Sequence, residues 1–274
     1  MLFCAQRCHC RSGRAPALPN TEALGEPLLQ FSSYSYLGLA AHPRIVRAAA
    51  DATLRCGTST GGVRLLTGTI PLHREFERTL AEFLRVEAVA MFSSGYTANL
   101  AAVGALFGPG DVCLLDHYAH QSLYAAVRLA GCESRRFDHN DMVCLRRELA
   151  ALEPGRRVLI AVDGVFSMDG DQAPLAELIA IKEAHGAFLL VDEAHALGAV
   201  GPTGRGTWEA QGVDPTRIDL ITGSLSKGIP SSGGFVAGAA DLCMYLQHGS
   251  DAYVFSAAPA PSAAAAALEA VRVL

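Results

Sequence analysis

The chain has 274 residues, half of them apolar, with a formal net charge of −5 and a pI near 6.0. That is enough apolar chain to bury one large core, or a core and a half, and the mildly acidic balance leaves no basic footprint for nucleic acid. No apolar run approaches the roughly 18 residues that a membrane span needs. The cysteines (Cys4, Cys8, Cys10, Cys56, Cys113, Cys132, Cys144 and Cys243) mostly lie among apolar neighbours, which suits reduced, buried thiols better than a disulfide framework. Cys8-His9-Cys10 invites a metal, but it lacks a second ligand pair at zinc spacing, so no metal is expected.

The N-terminal stretch carries Arg7, Arg11 and Arg14 with no acid before Glu22. That composition fits a transit peptide, a disordered arm, or a start assigned inside a longer gene; it lacks the apolar core of a secretory signal. Residues 1–29 are read as a disordered arm and 30–56 as an N-terminal segment. The cytoplasm is the expected compartment, with the mitochondrion as the alternative if the arm is a transit peptide.

Order is expected from residue 30, as a strand or arm closed at Gly38. His42-Pro43 opens a helix over 44–56 with Ile45, Val46, Ala49 and Leu54 at apolar positions. Residues 57–68 form a loop rich in glycine, serine and threonine, of the kind found at sites or on surfaces. A helix over 72–84 sets Leu72, Phe76, Leu80 and Phe83 on one face and points Glu75 and Glu77 elsewhere. Strands and helices then alternate: strand 88–92, a turn at Ser93-Ser94-Gly95, helix 98–106, strand 112–116, helix 121–130, strand 132–137 and helix 142–152. Strand 158–162, helix 175–185, strand 188–192 and strands 218–222 and 234–238 follow, with 263–267 favouring helix. The alternation predicts an α/β fold, a mostly parallel sheet with helices on both faces.

Two strand ends carry the chemistry. Phe188-Leu189-Leu190-Val191 runs into Asp192, and Asp219-Leu220-Ile221-Thr222 leads to Ser224 and Lys227. A carboxylate and a lysine at neighbouring strand ends fit pyridoxal phosphate, which needs an amine for its Schiff base and an anion at its ring nitrogen. The competing reading is an α/β enzyme with a surface lysine and a strand-end acid by coincidence. Lys182, on a helix beside Glu183, reads as a solvated face.

Several segments occur together: Tyr36-Leu37-Gly38-Leu39, Gly61-Gly62 with Leu66-Thr67-Gly68-Thr69, Ser94-Gly95-Tyr96-Thr97-Ala98-Asn99 and Asp116-His117-Tyr118-Ala119-His120-Gln121-Ser122. Gly164-Val165-Phe166-Ser167-Met168-Asp169-Gly170-Asp171, Asp192-Glu193-Ala194-His195, Gly223-Ser224-Leu225-Ser226-Lys227 and Gly233-Gly234-Phe235-Val236-Ala237-Gly238 continue the series. In this order they resemble the α-oxoamine synthases among the fold-type I pyridoxal-phosphate enzymes, from about Phe31 to the last residue. The resemblance implies that 57–274 is the cofactor-binding large domain and that the family's C-terminal small domain, with an arginine that grips substrate carboxylate, is absent. The sequence then reads as a truncated form or fragment.

The resemblance further implies the site. Lys227 holds the cofactor and, once displaced, removes the substrate's α-proton, as a desolvated lysine can. Asp192 keeps the ring nitrogen protonated, and His195 hydrogen-bonds the phenolic oxygen. His120, rather than nearby His117, stacks on the ring opposite Lys227. Ser94, Gly95 and Tyr96, between a strand and a helix, suit the phosphate, and Ser224 adds a hydroxyl. Ser167 lies near the cofactor oxygen and substrate carboxylate, and Asp163 stands where glutamate is frequent. Tyr34-Ser35 replace a segment in which many relatives carry Asn. In Phe255-Ser256-Ala257-Ala258-Pro259-Ala260-Pro261, only Ser256 offers the hydroxyl that relatives use to reach a partner subunit's phosphate.

The implied activity is decarboxylative condensation of glycine, alanine or serine with a coenzyme A or acyl-carrier-protein thioester, giving an α-amino ketone, in a homodimer with the site at the subunit interface. Leu65–Thr69 and Ile229–Gly234 look closer to the long-chain and polyketide-associated branches than to the biotin-pathway branch. Aminotransferase or lyase chemistry on the same fold, and a non-catalytic subunit, are the alternatives.

Overall fold

In a computed structural model, residues 5–7, 29–30 and 33–274 are described. The Cys8-His9-Cys10 run and most of the N-terminal arm lie outside them. Two short strands, β1 (Ala5–Arg7) and β2 (Leu29–Gln30), pair antiparallel.

Pro43 at the first turn, where its missing N–H costs nothing, starts helix α1 (Pro43–Cys56). The next helix, α2 (Pro71–Leu84), buries Phe76, Leu80 and Leu84 as its apolar period predicts. Glu75 faces outward to Arg272 at 2.6 Å. Glu77 does not: it is buried and pairs with the equally buried Arg64 at 2.8 Å. Arg64 opens a π-helix, Arg64–Gly68, inside the expected loop, and donates to the Met91 carbonyl while Glu77 accepts the Met91 N–H. The ion pair is thus stitched to a strand, which is why an acid on the wrong side of an amphipathic pattern can be buried.

The main sheet has seven strands: β3 (Ala88–Phe92), β4 (Val112–Asp116), β5 (Glu133–Phe137), β6 (Val158–Asp163), β7 (Phe188–Asp192), β8 (Leu220–Ser226) and β9 (Pro230–Gly238). Their order is β3-β9-β8-β7-β6-β4-β5, parallel except for β9, which runs antiparallel to both neighbours. The strands at 88–92, 112–116 and 188–192 fall where the apolar runs predict. β8 and β9 are longer than expected, because their hairpin pairing continues to Ser226 and Pro230.

Helices α3 (Gly95–Leu106) and α4 (Gln121–Ala130) cover one face, over a layer including Phe92, Leu115, Leu190 and Val236. The opposite layer joins α2, α5 (Met142–Ala150), α6 (Leu175–His185) and α10 (Pro261–Val273), around Leu114, Ile160, Val191 and Phe235. Three helices were not foreseen: α7 (Thr207–Ala210), α8 (Ala240–Gly249) and α9 (Asp251–Val254).

Lys182 of α6 is not on a solvated face. Its side chain is buried, and Nζ lies 2.6 Å from Asp219 at the amino end of β8. Among the described residues no helix is long and apolar enough to cross a membrane, and no cluster of three His, Cys, Asp or Glu could hold a metal.

Candidate active site

The parallel strands end together at one edge, and their register lines up Asp163, Asp192 and Thr222 on β6, β7 and β8. Carboxyl ends of parallel strands, with helices starting just beyond, are where ligands bind in such sheets. Just past β8 the chain delivers Lys227, whose Nζ lies 2.9 Å from His195 Nε2. The other ring nitrogen, Nδ1, lies 2.7 Å from the Tyr36 hydroxyl, so the imidazole bridges phenol and amine. The Lys227 amine also sits 5.7 Å from the ring centroid of Tyr34.

Burial lowers the Lys227 pKa, against the pull of Asp192 and Asp163. His195 is lowered to about 4, by burial first and the neighbouring ammonium second. Burial therefore disfavours the proton on both groups, and the neighbouring amine adds to the effect on the imidazole. Asp163, nearly fully buried and facing Asp192, is pushed well above the ordinary carboxylate range, chiefly by burial. Glu193 is raised to about 7 by burial, although Thr207 donates to it through both backbone and hydroxyl.

Asp192 accepts from the Ala194 N–H at 2.9 Å and from Asn99 Nδ2 at 2.7 Å. His120 is tied to the same edge: its backbone N–H donates to Asp163 at 3.0 Å, and its Nδ1 lies 2.6 Å from the Ser122 hydroxyl. His117 and His120 are both exposed in part, but only His120 is hydrogen-bonded into this edge; the His117 ring packs edge-on to Tyr118.

Across the edge, the Ser93-Ser94-Gly95 turn begins α3, which starts at Gly95 rather than Ala98. Ser94 caps it by accepting the Thr97 N–H, while Thr97 Oγ1 takes the Ser94 N–H, a capping box. The N–H groups of Gly95 and Tyr96 are left pointing out of the helix end, where an anion is favoured. A methyl at Gly95 would meet Ser224 Cβ at 3.0 Å, and one at Gly234 would meet the Gly95 nitrogen at 2.3 Å. These glycines let β8 and β9 bring Ser224 against the turn, its hydroxyl meeting Ser226. A helix-end anion cradle, an amine and an acceptor-only carboxylate fit the donor and acceptor needs of pyridoxal phosphate.

The structure therefore brings together Ser94, Gly95, Tyr96, His120, Asp192, His195, Ser224 and Lys227. Ser167 stands apart: it is exposed in the turn after β6 and, among the described residues, makes no hydrogen bond to the others. Ser256 is half-buried just beyond α9, beside Ala257, which bridges to Val63. Sequence reasoning gave no role to Tyr36, Asn99 or Ser122. For Asn99 the available signal was a lone polar residue in the apolar run Ala98–Val103; Tyr36 pairs across 159 positions, with no local cue. A cleft of about 500 Å³ between α1, α2 and α10 touches none of these residues.

Over residues 26–272 the chain matches the family aminotransferase class I and II. It is 43% identical over 250 residues to the 8-amino-7-oxononanoate synthase of Exiguobacterium sibiricum, covering 91% of this chain and 64% of that protein. Serine palmitoyltransferase of Sphingobacterium spiritivorum is 41% identical over 250 residues, with 91% and 62% covered. The solved serine palmitoyltransferase of S. paucimobilis carrying a PLP–myriocin adduct superposes with a TM-score of 0.85 at 37% identity, over 88% of this chain and 60% of that one. The chain thus spans less than two thirds of each of these relatives. Both names occur at similar identity among the curated relatives, so that likeness does not separate the long-chain from the biotin-pathway branch. The chain belongs to the aminotransferase class I and II family, in its α-oxoamine synthase branch.

Proposed function

We propose that this chain forms the cofactor-binding part of a pyridoxal-phosphate acyltransferase that joins an amino acid to an acyl thioester with loss of CO2. The observation that carries the reading is Lys227 Nζ at 2.9 Å from His195 Nε2, with Asp192 ending the neighbouring strand. Pyridoxal phosphate, when bound, supplies an aldehyde that takes up amines and a ring that accepts a carbanion's electrons.

The chain's own residues do the rest. The N–H groups at the start of α3, with the Ser224 hydroxyl, would hold the phosphate. Asp192, held by two donors, would keep a proton on the ring nitrogen. His120 would pack on the ring, and His195 would hold the phenolic oxygen. Lys227 carries the cofactor and, when freed, takes the α-proton of the bound amino acid at Nζ, which its lowered pKa permits. Ser167 would have to approach with the substrate's carboxylate. A carbon–carbon bond would then form between the α-carbon and the acyl carbon as the thiolate leaves and takes up a proton, and the carboxylate would depart as CO2 with the proton on Lys227 returned to the α-carbon. Glycine, alanine or serine is the amino acid class and coenzyme A or acyl-carrier-protein thioesters the donors. Leu66, Tyr96, Tyr118 and Phe255 are exposed apolar side chains of the kind a homodimer interface covers, and the cytoplasm is the compartment proposed.

The test is incubation with pyridoxal phosphate, carboxyl-labelled amino acid and acyl-CoA. Coupled release of CO2 and free thiol supports the reading. Transfer of the amine to a 2-oxo acid without thiol release would make the chain an aminotransferase. Neither reaction in a chain that retains cofactor would overturn the proposal.

A further inference from the structure

Asn99 and Ser122 are almost wholly buried, at 1% and 0% exposure, between two residues of the candidate site. Asn99 Nδ2 lies 2.7 Å from Asp192 Oδ2 and 2.8 Å from Ser122 Oγ. Ser122 Oγ lies 2.6 Å from His120 Nδ1, and the Ser122 backbone N–H reaches the same nitrogen at 3.3 Å. A carboxylate accepts only, so the carboxamide must turn its NH2 to Asp192; reversed, Asn99 Oδ1 would face Asp192 Oδ2. The second amide hydrogen then goes to Ser122 Oγ. The Ser122 backbone N–H can only donate, so His120 Nδ1 accepts it, and the Ser122 hydroxyl proton, not needed towards Asn99, turns to the same nitrogen. Two donors converge on His120 Nδ1, which must hold a lone pair.

We infer that Asn99 and Ser122 are positioning residues: they form a buried, one-way hydrogen-bond chain from Asp192 to His120 that holds His120 as the neutral tautomer protonated on Nε2. The inference rests on reading Asp192 and His120 as the acid under the cofactor ring and the histidine on it. A neutral imidazole adds no second cation beside Lys227, so the charge of Asp192 stays committed to the ring nitrogen. The groups acting on His120 agree. Burial lowers its pKa, Asp192 raises it, and Lys227 lowers it further; the Asp163 carboxylate accepts its backbone N–H. Helix capping alone would account for the Ser122 N–H contact but gives Asn99 no influence on His120.

The test is histidine 15N spectroscopy on the 274-residue chain without added cofactor, with His120 assigned by its loss in His120→Gln. Wild-type His120 should carry its proton on Nε2 and none on Nδ1. Ser122→Ala removes a donor to the neutral form and should raise the His120 pKa by about one unit. Asn99→Ala should shift it the same way without touching the ring, and Ser122→Thr, which keeps the hydroxyl, should restore wild-type behaviour. A wild-type proton on Nδ1, or a pKa and tautomer indifferent to both alanine variants, overturns the inference; the wild-type tautomer decides it even if a variant fails to fold. Condensation is measured separately, so a wrong tautomer with intact CO2 and thiol release would remove this inference alone, and the predicted tautomer in an inactive chain would remove only the proposed reaction.

Discussion

Lys182 and Lys227, the two lysines of the chain, stand at opposite edges of the same strand pair, β7 and β8. At the amino edge, Lys182 meets Asp219 at 2.6 Å, and Asp219 also takes the Leu189 N–H at 2.7 Å. At the carboxyl edge, Lys227 has an imidazole at 2.9 Å and the Tyr34 ring at 5.7 Å, and forms no ion pair with a carboxylate among the described residues. Both amines are withdrawn from water, so burial alone does not make a lysine reactive. The partner decides: a paired ammonium is held in place, whereas an unpaired one is desolvated towards the free amine.

Breaking each side of that comparison gives different losses. Lys227→Ala should lower acyl-CoA-dependent CO2 release by about 10²–10⁴-fold or more, the range for removing a positioned proton-transfer group, while melting stays near wild type. An active Lys227→Ala would remove the lysine from the chemistry. The buried Arg64–Glu77 pair is the extreme of the paired condition, so Glu77→Ala should cost about 3–5 kcal/mol in urea denaturation by stranding Arg64. A loss under about 1 kcal/mol would mean that Arg64 finds other partners or water. Lys182→Ala should cost less, about 1–2 kcal/mol, because Asp219 is partly exposed and keeps its backbone donor; its turnover per folded molecule should match wild type.

The remaining effect is a pH dependence. His195 is depressed from about 6.5 to about 4, so the unfolded chain binds its proton first and stability drains away as pH falls through that window. His195→Gln should flatten the decline between about pH 6.5 and 4 relative to wild type. His73, also lowered to about 4, and Glu193, raised to about 7, act in both proteins and cancel from the comparison. An identical decline in both would show that His195 titrates as it does in water.

Much of the fold was legible because strands buried on both faces read as short apolar runs: Val112–Asp116 and Phe188–Asp192 fall where the runs fall. Helix starts were less legible. α3 begins three residues early because the capping box of Ser94 and Thr97 overrides a glycine at its first position. The antiparallel course of β9 left no mark, since a glycine-rich strand has little pattern to read. In the site, residues in compact motifs such as Asp192 to His195 could be named in advance. Those acting across the sheet could not: Asn99 reaches Asp192 over 93 positions, and Arg64 in a glycine-threonine loop reads as surface until Glu77 is seen beneath it. Lys182 was misread for the same reason, its partner lying 37 residues away.

The claim that an unpaired amine, not merely a buried one, marks the site is tested most directly by trapping. The chain is incubated with pyridoxal phosphate, reduced with borohydride across a range of pH, and digested for peptide mapping. With only two lysines, the outcome is a choice between two peptides. The account predicts label on the Lys227 peptide, persisting to a lower pH than an ordinary lysine amine allows, and none on Lys182. Label on Lys182, or equal label on both, would contradict it.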